Sequence, residues 1–118
     1  MSRGHPSDAD REQANAETVA AALAAVGRGD AAGLAHMLAD HGVWLSAAGR
    51  ADGPSAAAAF AEAALVLAPG AQREWAPPQL RGAHSVLRYV ENDGEVVRAG
   101  ALVLEARAGR LVLVVEAP

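Results

Sequence analysis

Apolar residues recur along this chain with two different periods, and the change from one to the other divides it into a helical part and an extended part. In "AETVAAALAAV" the residues Val19, Ala22, Leu23 and Val26 fall three and four apart, the spacing of one helix face, and Gly27 to Gly29 supply a stop. A first helix is predicted over 13–26. Asp30 is a good N-cap for a second, short helix with Leu34, Met37 and Leu38 on one face and Gly42 at its end. "VWLSA" is short, β-favouring and bounded by Gly42 and the turn-forming residues from Gly49 to Gly53, so it reads as a strand. "PSAAAAFAEAALVLA" begins with Pro54 in a first-turn position, is almost pure helix former and is closed by Pro69 and Gly70, which makes a third helix with Phe60 as its core anchor. Pro77 and Pro78 break the next segment. After them the period becomes two in "HSVLRYV", "EVVRAGALVLEAR" and "RLVLVVEA", separated by "ENDG" and "RAGR", the pattern of two successive hairpins.

The order α, α, β, α and then a meander predicts an α+β architecture, a cone-shaped, curved antiparallel sheet with three helices, all from the N-terminal half, packed on one face. A two-residue turn at Ala108 and Gly109 would pair Leu104 with Leu113 and Leu102 with Val115. The face carrying Leu102, Leu104, Leu111, Leu113 and Val115 is then too apolar to leave in water, which predicts a homodimer through it.

With 118 residues there is room for one domain, taken as 13–118, preceded by a flexible tail over 1–12 where Gly, Pro, Ser and charges dominate. Only 3% of the chain is aromatic against 52% hydrophobic, so Ala, Leu and Val must build the core, and an Ala-lined cone leaves space for a cavity. The formal charge of -4 and the scattered arginines argue against nucleic acid. The absence of cysteine excludes disulfides and thiol chemistry, and no histidines or acids stand at metal-ligand spacing, so neither a metal nor another cofactor is expected. The polar start and the short apolar runs point to a cytoplasmic protein without a membrane partner.

The stretch "GRGDAAGLAHMLADHGVWLSAAGRADGPSAAAAF" and the closing "VLEARAGRLVLVVEA" resemble the NTF2-like superfamily, in particular its SnoaL-like polyketide cyclases and ketosteroid isomerases. The marks are the Gly29-Asp30 corner, "MLADHGVWL" leading into a strand, the helix after a short hairpin, and the final hairpin with its Gly-Arg-aliphatic turn. The resemblance implies a cone-shaped α+β barrel, also called cystatin-like, with a cavity, and usually a dimer through the outer face of the sheet.

Aligned on these motifs, the isomerases' carboxylate base falls on Ser46 and their oxyanion donors on Ala22 and Ala101, so all three roles are vacant. The resemblance instead offers Glu116 as an acid on the last strand, sharing a cavity face with Ala101, Val103, Val112 and Val114, while Trp44 and Ser46 belong to the cavity wall of the first strand. Two registers are open at "ENDG". A two-residue turn pairs Arg88 with Ala99 and sends it into the cavity with His84 and Val86; a three-residue loop pairs Arg88 with Arg98 and brings Leu87 and Tyr89 inward instead. Fold does not fix function. The expectation is a protein that binds an apolar small molecule, or a cyclase-like enzyme of secondary metabolism, with a non-catalytic dimerisation or scaffold module as the alternative. An epoxide hydrolase is weaker, because no Asp follows Arg88 at the position that chemistry needs. Whether the protein is an enzyme stays open at this point.

Overall fold

The computed structural model describes residues 7–118, and its first element starts on a polar signal. Ser7 Oγ accepts the Asp10 N–H at 3.1 Å while the Asp10 carboxylate accepts the Ser7 N–H at 3.4 Å, a capping box. Helix α1 therefore spans Asp8–Arg28 and starts ahead of its apolar stripe. Of the tail expected over 1–12, the part from Asp8 onward is helical, and residues 1–6 lie outside the described residues. α1 buries Val19, Ala22, Ala25 and Val26 and ends at Gly29, whose φ of 69° lets its N–H return to the carbonyls of Ala25 and Val26. Asp30 then caps α2 (Ala31–His36) by accepting the Gly33 N–H at 2.9 Å.

The second helix ends at His36 rather than at Gly42, and Leu38 already belongs to strand β1 (Leu38–Ser46). Leu38 pairs with Leu111 and Val43 with Leu113, so β1 spends more residues than its neighbour between those points. Asp40 and His41, in the surplus, are exposed, whereas Leu38 and Trp44 on either side are buried. Helical periodicity and a bulged strand place Leu34 and Leu38 on the core alike, which is why the two cannot be told apart from spacing.

The chain continues through β2 (Gly49–Asp52), α3 (Gly53–Leu65), β3 (Gln72–Trp75), β4 (Gln79–Arg81), β5 (His84–Asn92), β6 (Val97–Arg107) and β7 (Arg110–Ala117). The seven strands form one curved sheet in the order β2-β1-β7-β6-β5-β3, with β4 also on β5. Every pairing is antiparallel except β1 with β7, so the sheet is mixed where a purely antiparallel one was expected. The α+β architecture with three helices packed on one face stands. Ala57, Ala61 and Ala64 give α3 a buried stripe of small residues, closed by Leu65, which lets it lie close on β1 and α2. No helix is long and apolar enough to cross a membrane among the described residues.

One extra residue corrects the expected faces. The turn at Ala108 and Gly109 has two residues, with φ of 53° and 74°, and pairs Arg107 with Arg110 as anticipated. Ala106 then pairs with Leu111 but Glu105 with Leu113, so Val112 is a bulge and the register slips by one. Leu102 now lies opposite Glu116 and Leu104 opposite Val114. Leu102, Leu104 and Leu111 therefore point into the core, at 2% exposure or less, and not to the outer face assigned to them. Ala101 and Val103 move the other way, out of the expected cavity wall, opposite Ala117 and Val115. Leu113 and Val115 stay on the outer face.

This assignment of faces predicts that Leu104→Ala costs about 2–5 kcal/mol in denaturant unfolding, while Val103→Ala costs about 1 kcal/mol or less. The opposite order would restore the unshifted pairing. A second expectation concerns acid. The Gly33 N–H, and after it Arg28, hold the Asp30 carboxyl below its ordinary value. A carboxyl lowered on folding stabilises at pH above its unfolded value and loses that contribution as pH falls through the folded one. Asp30→Asn keeps a capping oxygen, so its stability measured from neutral pH down to about 3 should fall less steeply than that of the wild type.

Candidate functional site

On the helix-covered face, the residue after Val114 in the same direction is Glu116, and the β1 residue beside Val114 is Trp44. Trp44 is completely buried and packs in the same cluster as Leu34, Leu87, Leu102 and Leu104, so it occupies the interior of the cone instead of lining an empty one. Its single polar atom, Nε1, donates to Glu116 Oε2 at 2.7 Å. An indole N–H can only donate, so the bond fixes which side of the carboxylate is taken and holds Glu116 inward two residues from the end of the chain. Glu116, Ser46, Ala47, Ala48, Phe60 and Ala63 line a pocket of about 260 Å³ between the β1–β2 turn and α3. Ser46 Oγ accepts the Ala48 N–H at 3.1 Å, which shapes that turn.

Further along the same face, β3 and β5 assemble a second group around Tyr89, whose partners Arg73, Trp75 and Glu91 sequence reasoning missed. Arg73 pairs with Glu91 (Nη2 to Oε1, 2.7 Å), donates through Nη1 to the Ala64 carbonyl in the last turn of α3, and stacks its guanidinium 4.1 Å from the Tyr89 ring centre. Trp75 meets Tyr89 edge-on at 4.9 Å. The Tyr89 ring lies across Gly100, where any Cβ would collide with its ring and hydroxyl. This group ties the end of α3 to the rim of the sheet. Arg73 and Trp75 sit in "QREW", too short and polar to show a period, and their pairing with Glu91 and Tyr89 depends on a strand register that the sequence does not state.

Of the remaining expected residues, Tyr89 faces the helix-covered side and Val114 is buried in the core. The loop between β5 and β6 runs from Asp93 to Val96, longer than either turn considered, because Asp93 Oδ1 accepts both the Glu95 and Val96 N–H groups. Arg88 consequently pairs with Ala101 and projects from the outer face. His84 projects there too, with Nε2 3.4 Å from Glu105 Oε1. Neither reaches the expected cavity, and Val112 is taken up by the bulge. The positions assigned to isomerase chemistry stay apolar or hydroxylic: Ala22 is in the core, and the slip replaces Ala101 by Leu102 on the inner face. At the β3–β5 margin a wider depression of about 460 Å³ takes in both Arg88 and Tyr89, with Glu74, Trp75, Val90, Ala99 and Gly100 around them and Ala76, Pro77 and Pro118 at its edge. Among the described residues no group of three or more metal-ligating side chains converges.

No protein-family model matches the sequence, and no curated protein matches it. Solved structures do. An NTF2-like protein of unknown function from Mesorhizobium loti superposes with a TM-score of 0.71 at 20% identity, over 96% of this chain and 95% of that one. An uncharacterised cystatin-fold protein from Novosphingobium aromaticivorans gives 0.65 at 18% identity, over 88% and 97%. A candidate polyketide cyclase from Xanthomonas campestris gives 0.61 at 18% identity, over 89% and 90%. The fold of this chain is therefore NTF2-like.

Proposed function

We propose that this NTF2-like chain holds a small, largely apolar ligand at the open end of its helix-covered face, against Glu116. The observation that carries the reading is the 2.7 Å bond from Trp44 Nε1 to Glu116 Oε2. It commits the one polar atom of a wholly buried aromatic to holding a carboxylate at the wall of a pocket otherwise lined by alanines, Phe60 and Ser46. Few polar groups placed in an apolar concavity are what small-ligand sites have in common. A cyclase-like reaction is the enzymatic form of this reading, with Glu116 moving the proton, and the Xanthomonas neighbour supports it. It ranks behind binding because Glu116 is the sole ionisable side chain among the residues lining the pocket.

Filling of the cone by Trp44 favours a second reading, in which the fold serves pairing. Val43, Leu45, Val86, Val103, Leu113 and Val115 form an aliphatic, half-buried stripe on the outer face. Its surroundings carry both signs, Arg88 with Glu74 and Arg50 with Asp52, which a two-fold axis can set against each other. We propose a second copy of this chain as its occupant. The pairing and the pocket lie on opposite faces and are compatible.

Two measurements test these readings. In ligand-observed NMR with a set of small apolar fragments, those that bind the wild type should bind Ala63→Leu roughly tenfold more weakly, because leucine fills the pocket from an exposed helix position. Fragments that bind both alike, or no binding at all, would overturn the ligand reading. Analytical ultracentrifugation should find a dimer that Val115→Glu converts to a folded monomer; a monomeric wild type would sink the pairing.

A further inference from the structure

We infer that the pocket at Glu116 is built for a protonated amine carried on a small apolar body, an inference that rests on the ligand site proposed above. The pocket's one charged group is a carboxylate, and its partner there is a neutral donor, the Trp44 indole. Among the described residues Glu116 forms no ion pair, although six pairs form elsewhere in the chain. Its second oxygen, Oε1, has no hydrogen-bond partner among the described residues, whereas an ionised carboxylate has about four acceptor sites to fill. A half-buried carboxylate with a single neutral donor is stabilised most by a ligand that brings both a positive charge and N–H groups. Ser46 Oγ uses one lone pair on the Ala48 N–H and has another for a second ammonium hydrogen. Phe60, on the α3 side of the same pocket, offers an aromatic surface that attracts a cation.

The rest of the wall sets the body. Ala47, Ala48 and Ala63 present methyl groups only, and about 260 Å³ is the liquid volume of roughly nine waters, enough for one ring. An anionic ligand would meet Glu116 as a like charge in a chain whose formal charge is already -4. A neutral alcohol of the same shape could make the hydrogen bond without the charge.

Those three cases can be compared directly by titrating benzylamine, benzyl alcohol and benzoate, at neutral pH and low salt, into the wild type, Glu116→Gln and Ala63→Leu. Benzylamine should bind the wild type roughly tenfold or more tightly than benzyl alcohol, with benzoate weakest. Glutamine keeps an oxygen for the Trp44 N–H but no charge, so in Glu116→Gln the amine and the alcohol should bind within about twofold of each other. Equal binding of amine and alcohol by the wild type, or a preference that survives Glu116→Gln, would overturn the amine while leaving the pocket. Failure of all three probes to bind the wild type, or binding that Ala63→Leu leaves unchanged, would overturn both.

Discussion

Side chains alternate along a strand, so whichever residues of β7 face the helices commit every other position of that strand and of its neighbours. Val112 intervenes at the point where this commitment is made. By standing as an extra residue between Leu111 and Leu113, it keeps Leu111 on the core beside Ala106 and also lets Val114 and Glu116 face inward opposite Leu104 and Leu102. Without the slip, an inward Val114 and Glu116 would bring Val103 and Ala101 inward with them and leave Leu102, Leu104 and Leu111 on the outer face, in a chain whose core has almost no aromatic mass. The largest side chains of the interior, Trp44 among them, are packed against the leucines that this one residue turns inward.

The same slip explains which parts of the molecule were legible in advance. The turn at Ala108 and Gly109 is marked by a glycine, which tolerates positive φ, between two alternating runs, and the structure has it there. The bulge four residues on has no such signature, since Val112 is as good a strand residue as its neighbours. Alternation could therefore locate the strands and set Val114 on the face of Glu116, the acid that the resemblance offers, yet it assigned β6 to the wrong face. The stretch Leu38–Gly42 posed the same difficulty, because a bulged strand imitates the spacing of a helix end. Arg73 and Trp75 were beyond reach for another reason: two prolines and two very short strands separate them from the period-two run that ends beside Glu91, and only the β3–β5 register brings the three together.

Candidate chemistry divided in a similar way. Glu116 and Ser46 do meet in one pocket, and Tyr89 does turn to the helix-covered side. His84 and Arg88 do not, because the four-residue loop held by Asp93 aligns β5 with β6 so that both stand outside. The position of Trp44 could be inferred from strand parity, but its consequence could not. A tryptophan expected to line a cavity fills it, and the space that remains is displaced to the rim, where its indole N–H reaches the acid.

Pro77 and Pro78 lie between β3 and β4, the two short strands that share the flank of β5. Neither proline has an N–H to offer, and the strands beside them span only four and three residues. The margin of the sheet is consequently broken into pieces too brief for a foreign strand to zip onto, a safeguard against fibre-like self-association in a chain that is half hydrophobic.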